Sequence, residues 1–198
     1  MRDAANIAAI AALQPDYMGF VFHETSPRYA GGLHPDALSV LSEHTRKVGV
    51  FVHASCAVIK ETAQKYRLDL IQLHGNDPPD RCLAVREICP VIKAVGVRSA
   101  EEVATATALY DGKVDFLLFD TKTPLYGGSG EQFDWKALET YTGTTPFFLS
   151  GGIATEDAGR LKTLHFPRLH AIDINSRFET SPGMKDVQQV KFMRDQYK

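Results

Sequence analysis

A chain of 198 residues with 44% hydrophobic side chains is long enough for a sizeable core and reads as a single domain over 1–198. Its formal charge of -2 excludes a broad basic field and with it nucleic acid as a partner, so any anion recognition must be local. No run approaches the roughly 20 apolar residues of a membrane span, no secretory pattern opens the chain, and Cys56, Cys82 and Cys89 lack framework spacing; a cytoplasmic protein with no membrane partner is expected.

Residues 3–13 (DAANIAAIAAL) read as a helix with no strand before it. Strands then alternate with helices: strand 17–22, helix 34–44, strand 47–52, helix 55–66, strand 69–74, helix 78–88 and strand 91–97. The same alternation continues through helix 99–110, strand 114–120, helix 133–141, strand 146–151, helix 155–164, strand 169–175 and helix 185–196. Asp36, Ser99 and Thr155 are candidate caps. Near-continuous apolar strands separated by helices imply a parallel sheet covered on its faces. Eight helices in units of about 25 residues favour an α/β (β/α)8 TIM barrel over an open doubly wound sheet, with the first β-strand missing. The strands flanking that gap would keep unpaired edges.

In a barrel the chemistry lies where strands end. Those positions are His23, His53, Gln72 with His74, Asp120, Ser150-Gly151-Gly152, and Asp173 with Asn175. Alternation points Asp120 inward with Val114, Phe116 and Leu118, and Asp173 with Leu169 and Ala171. The glycines of LSGGIATED and the loop DINSRFETSPG come after the last two strands, the usual phosphate site of such barrels. Arg28 in SPRY could grip a planar carboxylate. The glycine-rich segment 121–135 suits a lid over Asp120, where desolvation would raise the carboxyl towards general-acid use. Trp135 reads as a packing residue, and Cys82 with Cys89 as buried apolar side chains on one helix. Two other functions fit in outline. One is a metal-dependent sugar-phosphate epimerase using His23, His53, His74, Asp120 and Asp173; the other is a catalytically silent phosphate-binding barrel.

MGFVF with SPRY, QLHG at 72–75, LLFDT followed by GGSGEQFDW, LSGGI, and DIN...FE followed by PGMKD occur in this order along the chain. Together they resemble the phosphoribosylanthranilate isomerases of tryptophan biosynthesis, which are (β/α)8 barrels. The resemblance implies an Amadori rearrangement of a small phosphorylated substrate, with no metal and no organic cofactor, by a monomer or homodimer. It implies Asp120 as general acid, Arg28 on the anthranilate carboxylate, His74 and Asp173 lining the site, and Gly151, Gly152, Asn175 and Ser176 on the phosphate. The family's base is a cysteine in a first strand reading Lys-Ile/Val-Cys-Gly. Met1-Arg2-Asp3 matches the residues directly after that motif, and no cysteine here occupies its position, so weak or no turnover is expected of this chain.

Overall fold

In a computed structural model, which describes residues 1–121 and 132–197, seven strands pair in sequence order and every neighbour is parallel. They are β1 (Tyr17–Val21), β2 (Arg46–Phe51), β3 (Leu70–Leu73), β4 (Val91–Val97), β5 (Phe116–Thr121), β6 (Phe147–Leu149) and β7 (Leu169–Ile172). Helices α1 (Ala4–Ala11), α2 (Cys56–Tyr66), α3 (Pro79–Arg86), α4 (Ala100–Tyr110), α5 (Ala158–Lys162) and α6 (Val187–Tyr197) complete the α/β units. A short antiparallel hairpin, β8 (Glu179–Ser181) and β9 (Met184–Lys185), precedes α6. This is a (β/α)8 TIM barrel without its first strand among the described residues, where no helix is long and apolar enough to cross a membrane.

Two apolar layers hold it together. The outer one packs helix side chains such as Ile7, Ile59, Cys82, Val103 and Leu161 against outward strand residues such as Phe51 and Phe119. The inner one joins Val48, Leu70, Ile92, Ala94, Leu118 and Phe148 inside the curled sheet. Local signals agree with this plan: Asp3, Ser55 and Ser99 each accept a backbone N–H in the first turn of α1, α2 and α4. Phe116 and Leu118 face inward below Asp120 as alternation requires, but Val114 precedes β5 and packs in the outer layer. In β7 the register slips by one residue, pairing Phe147 with Leu169 and Phe148 with Ala171. That bulge turns Leu169 outward while Ala171 stays inward.

Three expected helices wind wholly or partly as 3-10 turns. Residues 34–44 form one 3-10 turn, Pro35–Leu38, because Leu38 alone in that turn is buried and Ser39, Ser42, Glu43 and His44 offer no apolar stripe. Its N-terminal N–H contact comes from the His34 ring, not Asp36. Residues 133–141 wind as a 3-10 turn, Trp135–Thr140, in which Trp135 and Leu138 eclipse at the three-residue period. Residues 155–164 reduce to the turn Thr155–Asp157 and α5, and Asp157 rather than Thr155 accepts the Ala154 N–H.

β1 and β7 face each other across an open seam, as expected for strands flanking a gap. Near its lower end the Tyr17 hydroxyl and His170 Nε2 lie 2.7 Å apart. Higher up, the Met1 nitrogen donates to Gly19 O on the free edge of β1 at 2.9 Å.

Candidate active site

A cavity of about 900 Å³ opens at the C-terminal ends of the strands and along the seam, with Arg28, His74, Asp120, Gly151, Gly152, Asp173, Asn175 and Ser176 all on its wall. Every residue singled out for substrate or phosphate therefore converges on one space. Asp120 lies near the end of β5, with Oδ1 accepting the Thr121 N–H at 2.7 Å and Oδ2 lying 3.6 Å from His74 Nε2. Burial raises its carboxyl to about 6, the nearby Asp173 pushes the same way, and the Thr121 N–H opposes only part of the rise. Asp173 accepts the Ser150 hydroxyl at 2.9 Å and is itself raised by burial. His74 is pushed down to about 4 by burial, with the Lys93 charge adding, so its ring is neutral at physiological pH.

Gly151 explains how the sixth strand comes so close to the acid. Its φ is +91°, and a Cβ there would lie 2.5 Å from Thr121 Oγ1 and 3.0 Å from Asp120 Oδ1. Gly152 is the next residue, with φ +65°. Gln132 Nε2 donates to Gly152 O at 3.0 Å, and Phe133 N donates to Thr121 Oγ1 at 3.2 Å. The body of the expected lid, 122–131, lies outside the described residues.

Arg28, in the loop after β1, is already engaged. Its Nε donates to both oxygens of Glu179 at 3.1 and 3.0 Å, and its Nη2 to Oε2 at 2.7 Å. Lys185 on β9 donates to the same carboxylate at 3.1 Å, and to Asn175 O and Oδ1 at 2.9 and 2.6 Å. Burial alone would raise the Glu179 carboxyl, but the bonds and charges of Arg28 and Lys185 hold it below its ordinary value. Glu179 and Lys185 received no role from sequence, although FE and PGMKD contain them; the signal was the presence of charged residues in a segment returning to the strand ends.

His23 bonds Thr25 Oγ1 at 2.8 Å, and His53, with φ +53°, lies beside Gly75 rather than in the cavity wall. Among the described residues no group of three or more His, Cys, Asp or Glu side chains is placed to hold a metal ion, so the five residues of the metal-dependent reading do not form a ligand set. Among the same residues no thiol lines the cavity: Cys56 opens α2, while burial pushes the Cys82 and Cys89 thiols up to about 11.

A carboxyl raised by burial, set at a strand end against a glycine loop inside a curled parallel sheet, is the arrangement that suits a (β/α)8-barrel enzyme to acid–base chemistry. A family model for N-(5'-phosphoribosyl)anthranilate (PRA) isomerase matches residues 1–196. The N-(5'-phosphoribosyl)anthranilate isomerase of Parabacteroides distasonis is 42% identical over 194 residues, covering 96% of this chain and 87% of the relative. The phosphoribosyl anthranilate isomerase of Thermus thermophilus superposes with a TM-score of 0.86 at 27% identity, over 100% of this chain and 94% of that one. A further phosphoribosyl anthranilate isomerase, solved in complex with reduced 1-(o-carboxyphenylamino)-1-deoxyribulose 5-phosphate, superposes with a TM-score of 0.77 at 27% identity, over 99% and 94%. The chain belongs to the N-(5'-phosphoribosyl)anthranilate isomerase family.

Proposed function

We infer that the activity of this site is the Amadori rearrangement of N-(5'-phosphoribosyl)anthranilate to 1-(2-carboxyphenylamino)-1-deoxyribulose 5-phosphate, an aldose–ketose isomerisation of tryptophan biosynthesis carried out in the cytoplasm, with weak or no turnover by residues 1–198 alone. The observation that carries the reading is Asp120, a carboxyl raised to about 6 on the wall of a cavity also lined by Arg28 and two glycine or asparagine loops. Asp120 protonates the ribose ring oxygen, the C1–O bond breaks, and the anthranilate nitrogen stabilises the resulting cation as an iminium. Loss of the C2 proton gives an enolamine, which tautomerises to the ketone. Arg28 receives the anthranilate carboxylate; the backbone of Gly151-Gly152 and Asn175-Ser176 receives the phosphate. His74 and Asp173 complete the wall around the sugar. The complex of a relative with a reduced deoxyribulose phosphate supports this choice of ligand.

The C2 proton needs a base, and none of the thiols of Cys56, Cys82 or Cys89 reaches the cavity. Turnover of N-(5'-phosphoribosyl)anthranilate is therefore measured on residues 1–198 and on the same chain carrying Lys-Val-Cys-Gly before Met1. The extended chain is expected to be faster by about 10²- to 10⁴-fold, the usual worth of a general base. An extended chain that binds substrate without converting it would sink the isomerase reading and favour a phosphate-binding barrel without catalysis.

A further inference from the structure

Gln72 and His74 are two residues apart at the end of β3, so both side chains project to the same face of the sheet, into the cavity. The Gln72 amide nitrogen lies 3.0 Å from His74 Nδ1. An amide nitrogen can only donate, so Nδ1 is the acceptor, and the hydrogen of the neutral ring sits on Nε2. Nε2 faces Asp120 Oδ2 at 3.6 Å, outside hydrogen-bonding range. Asp120 Oδ1 accepts the Thr121 N–H, which leaves Oδ2 the better placed of the two oxygens for the acidic proton.

We propose that Gln72 is a positioning residue for the proton transfer: it fixes His74 as the Nε2–H tautomer, whose N–H closes on Asp120 Oδ2 as that oxygen gives its proton to the substrate. The inference rests on Asp120 being the general acid. The Asp120 O–H bond breaks as the O–H bond to the sugar ring oxygen forms, while His74 keeps its own proton and stays neutral. A contact made as the carboxylate forms, and absent while the carboxyl is protonated, stabilises the transition state more than the ground state.

Lys93 supports this arrangement from the neighbouring strand. Its buried ammonium donates to Leu73 O at 3.4 Å and to Gly75 O at 2.6 Å, the carbonyls on either side of His74, and to Ala94 O at 2.7 Å. The backbone carrying the imidazole is thus tied on both flanks. Among the described residues, the charged groups acting on the pair include Lys93 from β4, which opposes a second proton on the ring, and Asp120 from β5, with Asp173 at the end of β7 acting on Asp120.

The test is nitrogen-15 NMR of the histidine rings and carbon-13 NMR of the Asp120 carboxyl across pH, in the full chain and in Gln72→Met and Gln72→Glu. The native His74 ring is expected to carry its hydrogen on Nε2. Gln72→Met should mix the tautomers and raise the Asp120 pKa by about half a unit or more, because the ionised form loses its donor. Gln72→Glu, of the same shape, should move the hydrogen to Nδ1 and raise Asp120 as well. In the chain extended by Lys-Val-Cys-Gly, Gln72→Met should lower kcat about tenfold with KM unchanged. A native ring protonated on Nδ1, or an Asp120 titration untouched by both substitutions, overturns the proposal. An extended chain without turnover, with the NMR results as expected, overturns the isomerase reading and leaves the Gln72–His74–Asp120 coupling standing.

Discussion

Glu179 grips Arg28 side-on, taking Nε at 3.1 and 3.0 Å and Nη2 at 2.7 Å, with the two side chains 4% and 16% exposed. The Nη1 edge of the guanidinium is thereby left as the one a further carboxylate would meet, end-on, while Glu179 keeps the plane fixed. Glu179→Ala leaves two cations unpaired, Arg28 and Lys185, and should cost about 3 kcal/mol in urea unfolding. Glu179→Gln should cost less and raise KM, because a neutral amide no longer holds Arg28 as firmly. The Glu179 carboxyl lies below its ordinary 4.5. Its contribution is therefore complete above pH 4.5 and is lost as pH falls through the lower folded value. An unfolding midpoint unchanged in Glu179→Ala would show that the pair does not anchor the β8–β9 hairpin.

Asp120→Asn separates stability from chemistry. The carboxyl rises from 3.8 to about 6 in the fold, so its favourable contribution is complete below pH 3.8 and disappears as pH rises through about 6. Asparagine carries no such dependence. The variant should match the native chain near pH 3.5 and exceed it on the order of 2 to 3 kcal/mol at pH 7.5, while turnover of the extended chain falls about 10²-fold or more. Urea titrations at the two pH values check the sign; equal gains at both would remove desolvation as the cause.

Two glycines near each other in sequence should respond oppositely to alanine. Gly151→Ala forces a Cβ to 2.7 Å from Thr121 N at a φ of +91°, and should destabilise by about 2 kcal/mol or more while displacing Asp120. Gly159, inside α5, has nothing within 4 Å of the added carbon. Its replacement by alanine should stabilise by about 0.5 to 1 kcal/mol. Thermal midpoints of the two variants give the comparison directly.

The seven strands were legible because each is a short apolar run closed by a polar residue, and the strand-end rule then found Asp120, Asp173 and Gly151 without any contact being known. The short 3-10 turns were not, since Trp135 and Leu138 three apart serve an α-helix or a 3-10 turn equally well until the flanking chain sets the winding. Lys93 inside VIKAVGV carried no hint of its partners, which are backbone carbonyls that sequence does not distinguish. The Arg28–Glu179 pair joins residues 151 apart, and an arginine carries no mark of which distant carboxylate will reach it. Sequence picked out groups that line the cavity; it was silent on the groups that hold them in place.

Trp135, the single tryptophan, is fully buried, its indole N–H has no hydrogen-bond partner among the described residues, and the Arg160 guanidinium lies over its ring at 4.3 Å. A fully buried indole emits at short wavelength, and its emission moves to the red once water enters. Because the ring bridges the 3-10 turn after residue 132 and α5 beside the Gly152 loop, one optical signal reports on the docking of those two segments. The molecule thus carries its own gauge of whether the glycine loop has its support, readable without substrate and without turnover.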